Sequence, residues 1–109
     1  MLYSKIHQAT ITDCELSYNG SMGIDKNYMQ QAGLIQGQQI DVLNINNGNR
    51  FTTYVIQEDA GSEKFGIYGA AARLAQIGDV VIIIAYAQMS LDEAQTYQAK
   101  IVLMNLVNA

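Results

Sequence analysis

The stretch Tyr18-Asn-Gly-Ser-Met-Gly-Ile-Asp25 places one serine, Ser21, directly after a glycine. A serine hydroxyl can attack the carbonyl carbon of the preceding residue. The backbone link then moves from nitrogen to oxygen and leaves an ester. This shift is uphill in an ordinary peptide and needs a distorted bond and donors for the oxyanion. It also needs little bulk at the attacked carbonyl, and Gly20 has no Cβ. β-Elimination of the ester frees the Gly20 carboxylate and leaves dehydroalanine at position 21. Hydrolysis of that residue, with loss of ammonia, leaves a pyruvoyl group. A pyruvoyl carbonyl forms a Schiff base with an amine and acts as an electron sink. Asn-Gly-Ser is equally ordinary turn chemistry, so the tripeptide alone leaves both readings open.

A second cluster lies in Asn47-Gly-Asn-Arg-Phe-Thr-Thr-Tyr54. In an extended strand, Arg50, Thr52, Tyr54 and Ile56 share one face, and Phe51, Thr53 and Val55 take the other. A cation and a phenol then point the same way. The alternative is an edge strand with a solvated arginine.

The remaining composition narrows the chemistry. The chain has 109 residues, half of them apolar and 15% charged. That suits one domain and leaves no room for a second core. No apolar run approaches the ~20 residues of a membrane span. The longest, Val80 to Ala87, is rich in β-branched residues and suits a strand buried on both faces. The N-terminus lacks the long apolar segment of a signal peptide, so a cytoplasmic location is the default. Cys14 and His7 are the only residues of their kinds, which argues against a disulfide or a zinc site. Cys14 itself reads as a small buried apolar residue, and Asp79, after Gly78, as part of a turn. The net charge is −4 and the six basic residues are scattered, which argues against a nucleic-acid partner.

The elements that must position these residues follow from the punctuation. There is no proline, so turns fall to Gly, Asn and Asp. Strands are expected at Lys5–Leu16, Gln39–Ile45, Arg50–Gln57, Lys64–Tyr68, Val80–Ala87 and Ile101–Leu106. Asn47-Gly48 is a hairpin signal because both central turn positions need positive φ. A first helix should start at Asp25, with Ile24 and Met29 as a hydrophobic staple and Gly33 as its stop. Ser90-Leu-Asp-Glu93 is a capping box for a second. Ala70 to Gln76 suits a further helical turn. About six short strands with few helices indicate a mainly β barrel or sandwich.

Five stretches occur together in order: Lys5-Ile-His7, Tyr18-Asn-Gly-Ser21 with Ile24-Asp25, Asn47 to Tyr54, Gly69-Ala-Ala-Ala72, and Gly78 to Ile83. Together they resemble the aspartate 1-decarboxylase family, pyruvoyl enzymes that make β-alanine for pantothenate synthesis. The resemblance implies a six-stranded double-psi β-barrel with short helices, assembled as a homotetramer with sites between subunits. It implies self-cleavage between Gly20 and Ser21 into a β chain, residues 1–20, and an α chain, residues 21–109. Ser21 becomes the pyruvoyl cofactor. Lys5 and Arg50 hold the carboxylates of L-aspartate, Tyr54 returns a proton after CO2 leaves, and Thr53 assists the acyl shift. The turn at Gly69, Ala70 and Ala71 anchors substrate, and His7 and Tyr18 line the site. No metal, membrane or nucleic acid is implied. A maturation factor serves some members.

The chain departs from the family pattern at Tyr68, where an Asn precedes Gly-Ala-Ala. A phenol cannot reproduce an amide's donor and acceptor pair. Either the backbone shifts, or Tyr68 turns away, or activity is impaired. Met22, after the serine, is a tolerable departure. Two rival readings follow: a barrel that binds small dicarboxylates without turnover, and a pyruvoyl decarboxylase of another amino acid.

Overall fold

Short runs with an apolar residue at every second position become strands when those residues can reach one core. The computed structural model describes residues 1–104. Its strands are β1 (Leu2–Thr10), β2 (Asp13–Glu15), β3 (Ser21–Asp25), β4 (Gln39–Asn44), β5 (Arg50–Glu58), β6 (Phe65–Tyr68), β7 (Val80–Tyr86) and β8 (Lys100–Leu103). Among them run α1 (Lys26–Ala32), a 3-10 turn (Gly69–Arg73) and α2 (Leu91–Thr96). The sheet order is β2-β6-β3-β5-β4-β7-β1-β8. The β2/β6, β3/β5 and β1/β8 pairs are parallel. Ile6, Ile24, Ile40, Val42, Val55, Ile67, Val81 and Ile83 are buried between the strands.

The mainly β expectation holds, with eight strands among the described residues in place of six. The long strand expected over Lys5–Leu16 is two. The β1/β7 ladder ends at Thr10↔Val80, and β2 joins β6 from Asp13↔Gly66. Between them, Ile11 N donates to Asp79 O and Thr12 N to Phe65 O. The chain changes partners there. The other addition is β3, which the turn-like sequence around Ser21 conceals. Pairing with both β5 and β6 overrides the weak strand propensity of Gly23. The last strand ends at Leu103, and Asn105 and Leu106 of the expected one lie outside the described residues.

Other local expectations are refined. The hairpin between β4 and β5 forms, but around a five-residue loop in which only Gly48 has positive φ. Asn44 and Asn47 side chains accept from the amides of Asn46 and Asn49 and turn the chain instead. The helical turn begins at Gly69 and is 3-10, with Leu74 N donating to Ala71 O. In β7, Val81, Ile83 and Ala85 are buried while Val80, Ile82 and Ile84 are only half-buried. Its second face is therefore open in the single chain.

Asp25 does more than cap. Its carboxylate accepts from Asn27 N at 2.8 Å, from Gly61 N at 3.2 Å and from Glu63 N at 2.7 Å. It is 1% exposed. One side chain thus ties the start of α1 to the loop that leads into β6. Replacement by Ala strips a cap and leaves two loop amides without their acceptor. Asp25→Ala should cost about 2–3 kcal/mol, read as a lower denaturation midpoint. A loss under about 0.5 kcal/mol would show that the clamp is idle.

Candidate active site

Alternation fixes which face each candidate occupies. Met22 and Val55 are paired and fully buried, so both point into the core. Ser21 and Tyr54, one residue earlier on these parallel strands, point to the other face. Tyr68 is the antiparallel partner of Ser21 and shares that face. Continuing across the sheet, Arg50 pairs with Leu43, Leu43 with Ile82, and Ile82 with His7. Thr52 pairs with Asp41, Asp41 with Ile84, and Ile84 with Lys5. Ser21, Tyr54, Arg50, Lys5 and His7 therefore lie on one continuous outer face. Thr53 faces the opposite way, as alternation requires, and pairs with Ile40.

Sharing a face is not sharing a site. Strand spacing of about 4.8 Å puts Arg50 and His7 roughly 14 Å apart across three steps. Tyr18, Ser21 and Tyr68 do meet, in a cleft of about 580 Å³ that Asn19, Ile56 and Glu58 also line. Lys5, His7, Arg50 and Tyr54 do not line this cleft. Asp13, Glu15 and Glu58 on its walls face only one ammonium, Lys64. The Lys64–Glu58 pair is long, at 3.9 Å.

The backbone around Ser21 is crowded. Gly69 has φ +77, and a Cβ there would lie 2.6 Å from Gly20 Cα, 2.7 Å from Gly20 N and 3.0 Å from Tyr18 O. Gly69, the first residue of the 3-10 turn, is thus packed directly onto Gly20. Ser21 is 1% exposed, and its Oγ is buried with no hydrogen-bond partner among the described residues. An idle buried hydroxyl costs free energy, and it is the atom a nucleophile would use. His7 Nδ1 is likewise without a partner among the described residues, but on a distant strand.

Tyr68 takes the second of its three options. Its ring turns along the strands, away from its own register partner Ser21, and lies over Gly23 and Gly66. Its hydroxyl reaches Glu58 Oε2 at 3.5 Å, a weak donation, and the Tyr18 ring meets it edge-on at 5.8 Å. Burial, then the Glu58 and Asp13 carboxylates, push the phenol up to about 12. Met22 is pure core. Cys14 is half-buried on the cleft wall rather than fully buried. Burial and the charges of Asp79 and Asp13 raise its pKa, which makes it a poor nucleophile. Asp79 accepts from Gln76 N and Asn44 Nδ2 and belongs to the turn, as expected. Glu58 was missed in the sequence, although it continues the Arg50, Tyr54, Ile56 face. Gly23 and Gly66 were missed too; two glycines inside apolar strands were the available signal.

A family model described as aspartate decarboxylase matches residues 1–109. The chain belongs to this family. Its relatives include the aspartate 1-decarboxylase of Maricaulis maris, 51% identical over 96% of this chain and 87% of that protein. The Campylobacter hominis aspartate 1-decarboxylase is 51% identical over 99% and 93%. Two designed double-psi β-barrels superpose with TM-scores of 0.56 and 0.54 at 14% and 16% identity. They cover 74% and 69% of this chain and 95% of each designed chain. The fold is therefore a double-psi β-barrel. Among the described residues of this family member, no helix is long and apolar enough to cross a membrane, and no cluster of side chains could hold a metal.

A titration follows from the Tyr68 environment. Burial and Glu58 both disfavour the phenolate, so the neutral phenol persists above the ordinary 10 to about 12. Ultraviolet difference titration of wild type against Tyr68→Phe should show that late step, and Glu58→Gln should move it down. A step at or below 10 would contradict the packing described.

Proposed function

We propose that the chain decarboxylates L-aspartate to β-alanine and CO2, using a pyruvoyl group that it makes from Ser21. The carrying observation is the idle, buried Ser21 Oγ beside a Gly20 pressed against the Gly69 turn. Family membership and the names of the relatives support the substrate.

Processing comes first. Ser21 Oγ attacks the Gly20 carbonyl carbon, and the peptide nitrogen leaves as the free amine of residue 21. Loss of the α-proton of residue 21 expels the Gly20 carboxylate. Water then releases ammonia. Burial favours attack because no bulk water competes for the hydroxyl. Thr53 lies level with Gly20 when the parallel β3/β5 register is continued one step beyond Ser21 and Tyr54, and its hydroxyl is proposed to assist the shift. The residues fit the group: a hydroxyl without another task, glycine at the attacked carbonyl, and a turn whose amides Gly69, Ala70 and Ala71 can hold a carboxylate.

A pyruvoyl group, once formed, supplies the electron sink for loss of the substrate's α-carboxylate. This chain's side chains do the rest. Arg50 offers a bidentate grip and Lys5 a point charge for the carboxylates. Tyr54, 41% exposed, is the proton donor. These three sit on the outer face, away from the acidic cleft of the same chain. A site between subunits would bring one chain's cations to another's residue 21. The half-buried Ile82 and Ile84 and the exposed Ile101 and Leu103 on strands of the same sheet support such an assembly. We infer a homotetramer, a cytoplasmic location, and a role in supplying pantothenate synthesis.

Denaturing mass spectrometry tests the reading. Two chains should appear, residues 1–20 and a pyruvoyl-headed 21–109. Ser21→Ala should stay whole and release no labelled CO2 from aspartate. A single uncut wild-type chain after prolonged warming, with no CO2, would refute it. Arg50→Ala in the cut protein should raise KM for aspartate at least about tenfold, the loss of one charge-assisted contact.

A further inference from the structure

Gly23 and Gly66 are register partners in the middle of β3 and β6. Glycine weakens strands unless something needs the space. Backbone conformation does not explain either, since neither has positive φ. Space does. A Cβ on Gly66 would overlap the phenol oxygen and Cζ of Tyr68. A Cβ on Gly23 would lie 2.9 Å from Tyr68 Cε2 and 2.9 Å from Glu58 Cγ and Cδ. The ring lies in the room both glycines leave, bounded by Tyr18 on its edge and Glu58 at its tip. Tyr68 is also the register partner of Ser21, and its carbonyl would be 3.9 Å from a Cβ on Gly20. The cleft that both Tyr68 and Ser21 line is open space into which a ring denied that room can turn.

We infer that Gly23 and Gly66 form a shelf that parks the Tyr68 ring clear of the Gly20–Ser21 bond. The two glycines are positioning residues for self-cleavage, and they act through Tyr68. This rests on the self-cleavage proposed above. A methyl group at either position pushes the ring over the bond, where it crowds the attacked carbonyl.

The test follows cleavage of the freshly purified full chain by intact mass, with CO2 release as a second readout. Gly66→Ala should slow cleavage at least about tenfold, and Gly23→Ala likewise. Adding Tyr68→Ala to either should restore cleavage to within about threefold of Tyr68→Ala alone. Slow cleavage caused by the methyl groups independently of the ring would not be rescued by removing the ring. Gly66→Ala and Gly23→Ala that cleave at the wild-type rate overturn the inference while leaving the proposed function standing. Double variants that stay slow, or do not fold, overturn it equally. A wild-type chain that never cleaves overturns both.

Discussion

Gly20 occupies the volume where any other residue at position 69 would put its Cβ, and Gly69 alone permits both that contact and its own positive φ. The rest of the molecule serves this approach of two backbones. It requires β3 and β6 to be neighbours in the Ser21↔Tyr68 register, because Gly20 precedes one strand and Gly69 follows the other. A slip by one residue would turn Ser21 into the core and Met22 out of it. Met22, Ile24 and Ile67 hold the register from below. At the far end, Asp25 binds the amides of Gly61 and Glu63, so the loop entering β6 has a set length. A carboxylate four residues beyond the serine thereby helps to decide where Gly69 arrives.

Electrostatics pull against a site inside one chain. The molecule carries −4 overall, and the cleft at Ser21 holds Asp13, Glu15 and Glu58 against Lys64. A dicarboxylate would meet repulsion there unless cations stood within a few ångströms. Arg50 and Lys5 lie on the same outer face, but along rows offset from the serine by several strands or residues. In the proposed assembly, a second copy covering that face would meet two difficulties at once. It would supply cations to the cleft, and it would bury the side of β7 that a single barrel leaves half open.

Much of this was legible beforehand because local rules were obeyed. The Asp25 cap, the Gly33 stop, the Ser90–Glu93 box and the face assignments on β5 all follow from short-range patterns. What was hidden is non-local. β3 reads as a turn because Asn19, Gly20 and Gly23 crowd it, and only simultaneous pairing with β5 and β6 makes it a strand. The break at Ile11 is invisible for the same reason, since it arises from a change of partner rather than from a breaker residue. The gathering of Tyr18, Ser21 and Tyr68 depends on that topology. The separation of Lys5 and His7 from them depends on β5, β4 and β7 standing between.

Tyr68 shows how two paired strands accommodate a large ring beside a crowded backbone. A phenol is larger than the amide that the family resemblance implies at this position, and the neighbouring backbone cannot retreat because Gly69 already touches Gly20. The ring must go along the strands instead of across them. That path exists only where two facing positions lack side chains, and Gly23 and Gly66 are such a pair. Glu58, on the same face of β5, then meets the hydroxyl and, with burial, keeps it neutral up to about 12. The phenol is therefore neither a base nor an anion near the serine at any ordinary pH. Its tolerance depends on residues two positions away on both strands, so position 68 cannot be judged apart from positions 23, 58 and 66.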